Sequence, residues 1–88
     1  MGPNEAYHAI RDALMSKPSV SVLDCAYDDA KFGNFVIVFE ADGEPRSVIN
    51  DRGEIALCRG PAGNQHCTTV VPSVAAVEQE ALITALGL

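Results

Sequence analysis

Apolar residues follow two spacings along this chain: every three or four positions towards the ends, and alternating in the middle. Ala6, Tyr7, Ile10, Ala13 and Leu14 share the first spacing, which gathers side chains on one stripe of a helix and predicts a helix over 4–17. Asn4 is placed to cap it and Glu5 to sit at the positive end of its dipole. Pro18 ends it, because its ring disfavours helical geometry at Lys17.

From Ser19 to Tyr27 the apolar parity changes, from Val20 and Val22 to Leu23, Cys25 and Tyr27. That predicts a strand with a bulge, or one covered on both faces. Asp28 to Asn34 reads as a loop. Phe35 to Ala41 is the strongest strand, with Phe35, Ile37 and Phe39 on one face and Val36 and Val38 on the other, as in the middle of a sheet. Asp42-Gly43 suits a type I′ hairpin turn into a return strand from Pro45 to Asn50. A three-residue loop at Asp51–Gly53 then leads to a strand over Glu54–Cys58. These turns pair Ile37 with Val48, Val36 with Ile49, and Ile49 with Ile55, which puts Ile55 and Leu57 on the face of Val36 and Val38; a one-residue slip at the first turn would put them with the aromatics.

Gly60 to Asn64 is loop chemistry, Cys67 to Val71 a short β-branched strand, and Pro72-Ser73 the opening of a final helix of about fifteen residues. The fold class is therefore α+β: one domain over residues 1–88, with an antiparallel β-meander of four to five strands flanked by an N-terminal and a C-terminal helix. The last helix is apolar nearly all round, including Val77, Leu82 and Leu86. A helix of that kind is buried on more than one side. Self-association as a homodimer, through this helix or an open sheet face, is the expectation.

Charge adds the one hint of a partner. Eight of the twelve Asp and Glu residues lie between positions 24 and 54, against Lys31, Arg46 and Arg52, so that segment carries −5 of the net −6. The six basic residues are scattered singly. A basic patch that would neutralise nucleic-acid phosphates or anionic lipid is missing from that pattern. No apolar run approaches the ~20 residues that span a bilayer, and the first residues lack the charged and apolar regions of a signal peptide. A cytoplasmic protein is expected.

Candidate chemistry is sparse. Cys58, His66 and Cys67 offer three soft ligands without the Cys-x-x-Cys pairing of a zinc site, so no metal or cofactor is expected. If the last two strands pair, Cys58 and Cys67 come opposite one another, and a disulfide becomes possible in an oxidising compartment. His8 and Asp12 lie one helical turn apart with no nucleophile in context, which reads as a surface pair. No phosphate-binding loop or hydrolase motif occurs, and no enzymatic activity is expected.

The acidic segment predicts a small protein-interaction module that binds and inhibits a basic protein, such as a nucleic-acid enzyme, with no nucleic acid or membrane bound directly. Asp24, Asp28, Asp29, Glu40, Asp42 and Glu44 would supply docking electrostatics, and Phe32 or Tyr27 an aromatic anchor. The alternative is a dimeric chaperone or adaptor that holds a peptide, or docks into a larger complex, through apolar surface.

Overall fold

Pro3 opens the first helix. The computed structural model describes residues 1–61 and 63–88. Its elements are helix α1 (Pro3–Met15), strands β1 (Val20–Asp28), β2 (Asn34–Ala41), β3 (Glu44–Asp51), β4 (Glu54–Arg59) and β5 (His66–Val71), a 3₁₀ turn at Val74–Ala76, and helix α2 (Gln79–Ala85). Gly2, not Asn4, occupies the cap position of α1. Pro3 explains the shift: its fixed φ suits the first helical position, where a missing N–H is harmless.

The strands form one antiparallel sheet in chain order, β1-β2-β3-β4-β5. The parity change in β1 is resolved by a register shift between Val22 and Asp24, which leaves Leu23 unpaired and 56 % exposed. The first hairpin has the expected register, with Ile37 opposite Val48 and Val36 opposite Ile49. Asp42 (φ 53°) and Gly43 (φ 79°) supply the two left-handed residues that a type I′ turn requires.

The second hairpin differs from expectation. Its turn has two residues, Arg52 and Gly53, because Asp51 pairs with Glu54; Ile49 therefore faces Ala56, not Ile55. Two asparagine side chains hold this turn. Asn34 Oδ1 accepts from the Arg52 N–H at 2.8 Å, and Asn50 Oδ1 from the Gly53 N–H at 2.9 Å. The consequence is large: Ile55 and Leu57 move to the face of Phe35, Ile37 and Phe39.

That face carries the core. Ala6, Tyr7, Ile10 and Leu14 of α1 and Leu82 and Leu86 of α2 pack with Phe35, Ile37, Phe39, Val48, Ile55, Val71 and Val74. Tyr7, Tyr27 and Phe35 form an aromatic cluster with centroid separations of 5.2–6.4 Å. Burial, and then the neighbouring Cys25, raise the Tyr7 phenol above its ordinary pKa.

The predicted fifteen-residue final helix is also corrected. After the 3₁₀ turn, Val77 and Glu78 are extended, with ψ of 157° and 161°, and α2 spans seven residues. The break follows from where the backbone groups bond. The Val74 N–H donates to Gly53 O at 2.7 Å, and the Met1 nitrogen donates to Val74 O and Val77 O, so those carbonyls do not continue a helix. Leu82 and Leu86 point into the monomer's own core, 0 % and 6 % exposed, and leave only half-buried Val77 of the three expected association residues near the surface.

Candidate functional site

With both helices on one side, the other side of the sheet has no helix over it. Alternation and register define what it presents. Ala26, Val36, Ile49, Ala56 and Thr69 form one row across the five strands, and Asp24, Val38, Ser47, Cys58 and Cys67 form the next. Asp28, Asn34, Asp51 and Glu54 lie beyond the first row, at the end of the sheet with the second turn; Glu40 lies beyond the second row. Thus Val36, Val38 and Ile49, all half-buried, form an apolar strip with carboxylates at either end. Ala26, Asp28, Asn34, Val36, Ile49 and Asp51 line a shallow depression there.

Most of the cations lie elsewhere. Arg11 is in α1, Lys17 just after it, and Lys31 in the loop before β2. Arg46 and Arg59 pair with each other and with Phe39 and His66 on the helix-covered face. Arg52, at the tip of the second turn, lies over the Phe32 ring at 5.2 Å, with Met1, Pro3 and Val74 beside it on the helix side. Five carboxylates (Asp24, Asp28, Glu40, Asp51 and Glu54) therefore share the open face with none of Arg11, Lys17, Arg46, Arg52 and Arg59, while Lys31 follows Asp28 in the loop at one end of it.

This placement sorts the expected binding residues. Asp24, Asp28 and Glu40 come together on the open face. Asp28 also closes its own loop, accepting from the Ala30 N–H at 3.0 Å. Asp29 lies in that loop and Asp42 at the tip of the first hairpin. Glu44 faces the helix side and forms an ion pair with Arg46 at 3.3 Å. Phe32 is 70 % exposed but sits at the helix-side end, and Tyr27 belongs to the core aromatics. Asp51 and Glu54 are part of the face although no site role was expected of them. Their signal was the second turn: once it has two residues, parity puts both on the side of Val36. Glu54 accepts from the Thr69 hydroxyl at 2.8 Å and is held in place on that side.

Cys58 and Cys67 are joined as a disulfide, with Cα atoms 4.0 Å apart. Cys58 is buried beneath this end of the open face together with Ser47, whose hydroxyl accepts from Gln65 Nε2 at 3.3 Å. The link closes the loop between β4 and β5. Loop-closure entropy for a ring of this size is worth roughly 2–3 kcal/mol. Reduction is expected to lower unfolding stability by about that amount, with β5 amides losing exchange protection first; an unchanged urea midpoint after complete reduction would contradict it. Cys25 is a free thiol on the opposite face. Among the described residues, no group of three or more His, Cys, Asp and Glu side chains is arranged to hold a metal ion, and His8 contacts the Tyr7 ring rather than Asp12. No helix among them is long and apolar enough to cross a membrane.

The chain matches no protein-family model, no curated protein and no solved structure. Its own geometry carries the functional argument.

Proposed function

We propose that the protein is an acidic interaction module whose open sheet face binds a basic protein partner and masks the partner's cationic surface, as an inhibitor of a nucleic-acid enzyme would. The observation that supports this is segregation: five carboxylates and an apolar strip on the helix-free face, with Arg11, Lys17, Arg46, Arg52 and Arg59 placed elsewhere. The strip, from Val36 to Ile49 and Val38, offers desolvated contact, and the carboxylates at its ends set orientation and draw a cationic surface in.

The reading makes a kinetic prediction. Asp24→Asn, Asp28→Asn and Glu40→Gln in combination are expected to slow association with the partner about tenfold or more at low salt and to flatten its salt dependence, since steering acts mainly on the on-rate. Asp42→Asn with Glu44→Gln, off the face, is expected to have a much smaller effect. An on-rate that is equal for the two variants would contradict the assignment. Location depends on the cysteines: the linked Cys58–Cys67 pair favours an oxidising compartment, whereas the cytoplasmic expectation goes with a reduced pair. Alkylation of unfractionated cells before lysis distinguishes the two.

A further inference from the structure

The two edges of the sheet differ. β1 carries the devices that keep a sheet edge from pairing: a bulge at Leu23, Asp24 and Asp28 along its length, and α1 packed against it. On β5 the register shift falls at Val70, towards the end that α2 touches, and from His66 to Thr69 the strand pairs regularly with β4. His66, Cys67, Thr68 and Thr69 are all exposed, and the strand contains no Asp, Glu, Lys, Arg or Pro.

The direction of its free backbone groups follows from the register. The 4.0 Å Cα separation of Cys58 and Cys67 marks a pair that does not exchange hydrogen bonds, and such pairs alternate with bonded ones. Leu57 and Thr68 are then a bonded pair, and Ala56 and Thr69 again an unbonded one. The same alternation runs through β3, where Pro45 O turns towards β4 and accepts from Gly60 N–H at 3.0 Å. The N–H and C=O groups of Cys67 and Thr69 therefore point away from β4, off the edge of the sheet.

We infer that β5 is a self-pairing edge, on which a second copy of this chain docks its own β5 antiparallel about a two-fold axis at Thr68. In that register Cys67 of each copy faces Thr69 of the other, each pair exchanging both its hydrogen bonds. The two Thr68 side chains meet between them, and threonine pairs are favourable across strands. Charge selects the occupant. A chain of net charge −6 repels its own copy over most of its surface, but residues 55–77 contain no Asp or Glu. The nearest carboxylate, Glu54, sits one strand inward and is bound to the Thr69 hydroxyl. The disulfide anchors the edge to β4 and leaves less backbone freedom to lose on pairing. The product is a ten-stranded sheet with all helices on one side and the two open faces joined into one. This dimer stands independently of any basic partner.

Sedimentation equilibrium over a hundredfold concentration range tests it, together with residue-resolved amide exchange. The expected mass rises to twice the 9.3 kDa of the chain, with the Cys67 and Thr69 amides protected in the dimer. Thr69→Pro removes an outward N–H that β4 does not use and is expected to leave a folded monomer. Thr68→Lys and Thr68→Glu are each expected to be monomeric alone and to form a heterodimer when mixed, which keeps the test decisive if the proline variant fails to fold. A single-chain mass at every concentration would overturn the inference. So would a dimer in which the Cys67 and Thr69 amides exchange freely, or one indifferent to charge at Thr68.

Discussion

Leu82→Asp is expected to unfold the chain, and Leu82→Ala to lower its stability by about 3 kcal/mol or more. Leu82 is fully buried against the core that α1 and the sheet share. Truncating such a leucine typically removes 2–5 kcal/mol, as lost transfer energy plus the cavity left behind. A carboxylate in the same place would be charged and unpaired in an apolar setting, a penalty comparable with the whole stability of a small domain. The short length of α2 magnifies the effect. Seven residues are too few to hold helical structure alone, so losing the Leu82 anchor releases the helix and exposes Ile10 and Leu14. Urea unfolding checks the Ala variant. If Leu82→Ala kept wild-type stability and only weakened self-association, Leu82 would belong to a surface and not to the core.

Asn50→Leu is expected to cost about 3 kcal/mol, although leucine is nearly the same size and more apolar. Asn50 is 1 % exposed. Its Nδ2 donates to Gly33 O at 3.0 Å and its Oδ1 accepts from the Gly53 N–H, so one side chain ties the β1–β2 loop to the second hairpin turn. Leucine would orphan a buried carbonyl and a partly buried amide, each worth about 1–3 kcal/mol. The turn would also lose a restraint on Arg52, a non-glycine residue at φ 54°. A fall in the urea midpoint with an unchanged slope is the expected signature. A change under about 0.5 kcal/mol, the range of neutral surface substitutions, would mean that the turn holds itself.

Asn50 also shows where sequence reading stops. The first hairpin was legible because Asp42-Gly43 carries its turn type in two adjacent residues. Asp51-Arg52-Gly53 allows a turn of two residues or of three, and the two-residue form is held by Asn34, whose side chain reaches it from β2, and by Asn50 at the adjoining end of β3. Asn50 is a neighbour in sequence, but the contact from Asn34, 18 residues away, is not visible locally. The resulting error of one residue turned Ile55 and Leu57 to the wrong face and hid Asp51 and Glu54 from the site. The final helix was misread for a similar reason: its apolar pattern persists through Val77, while the carbonyls that would continue it bond to Met1. The open face was half legible. Alternation in β2 put Val36, Val38 and Glu40 together, but their separation from Arg46 and Arg59 depends on pairings that only the fold displays.

The most direct measurement is capture from source-organism lysate with the wild-type chain and with the Asp24→Asn, Asp28→Asn, Glu40→Gln variant, each at about 0.05 M and about 0.5 M salt, where screening shortens the reach of exposed charge from above to below 10 Å. The expected result is a discrete basic protein held by the wild type at low salt, much reduced at high salt, and lost with the variant. A partner held equally by both chains at both salt concentrations would contradict the acidic face as the site and favour the apolar-surface chaperone reading.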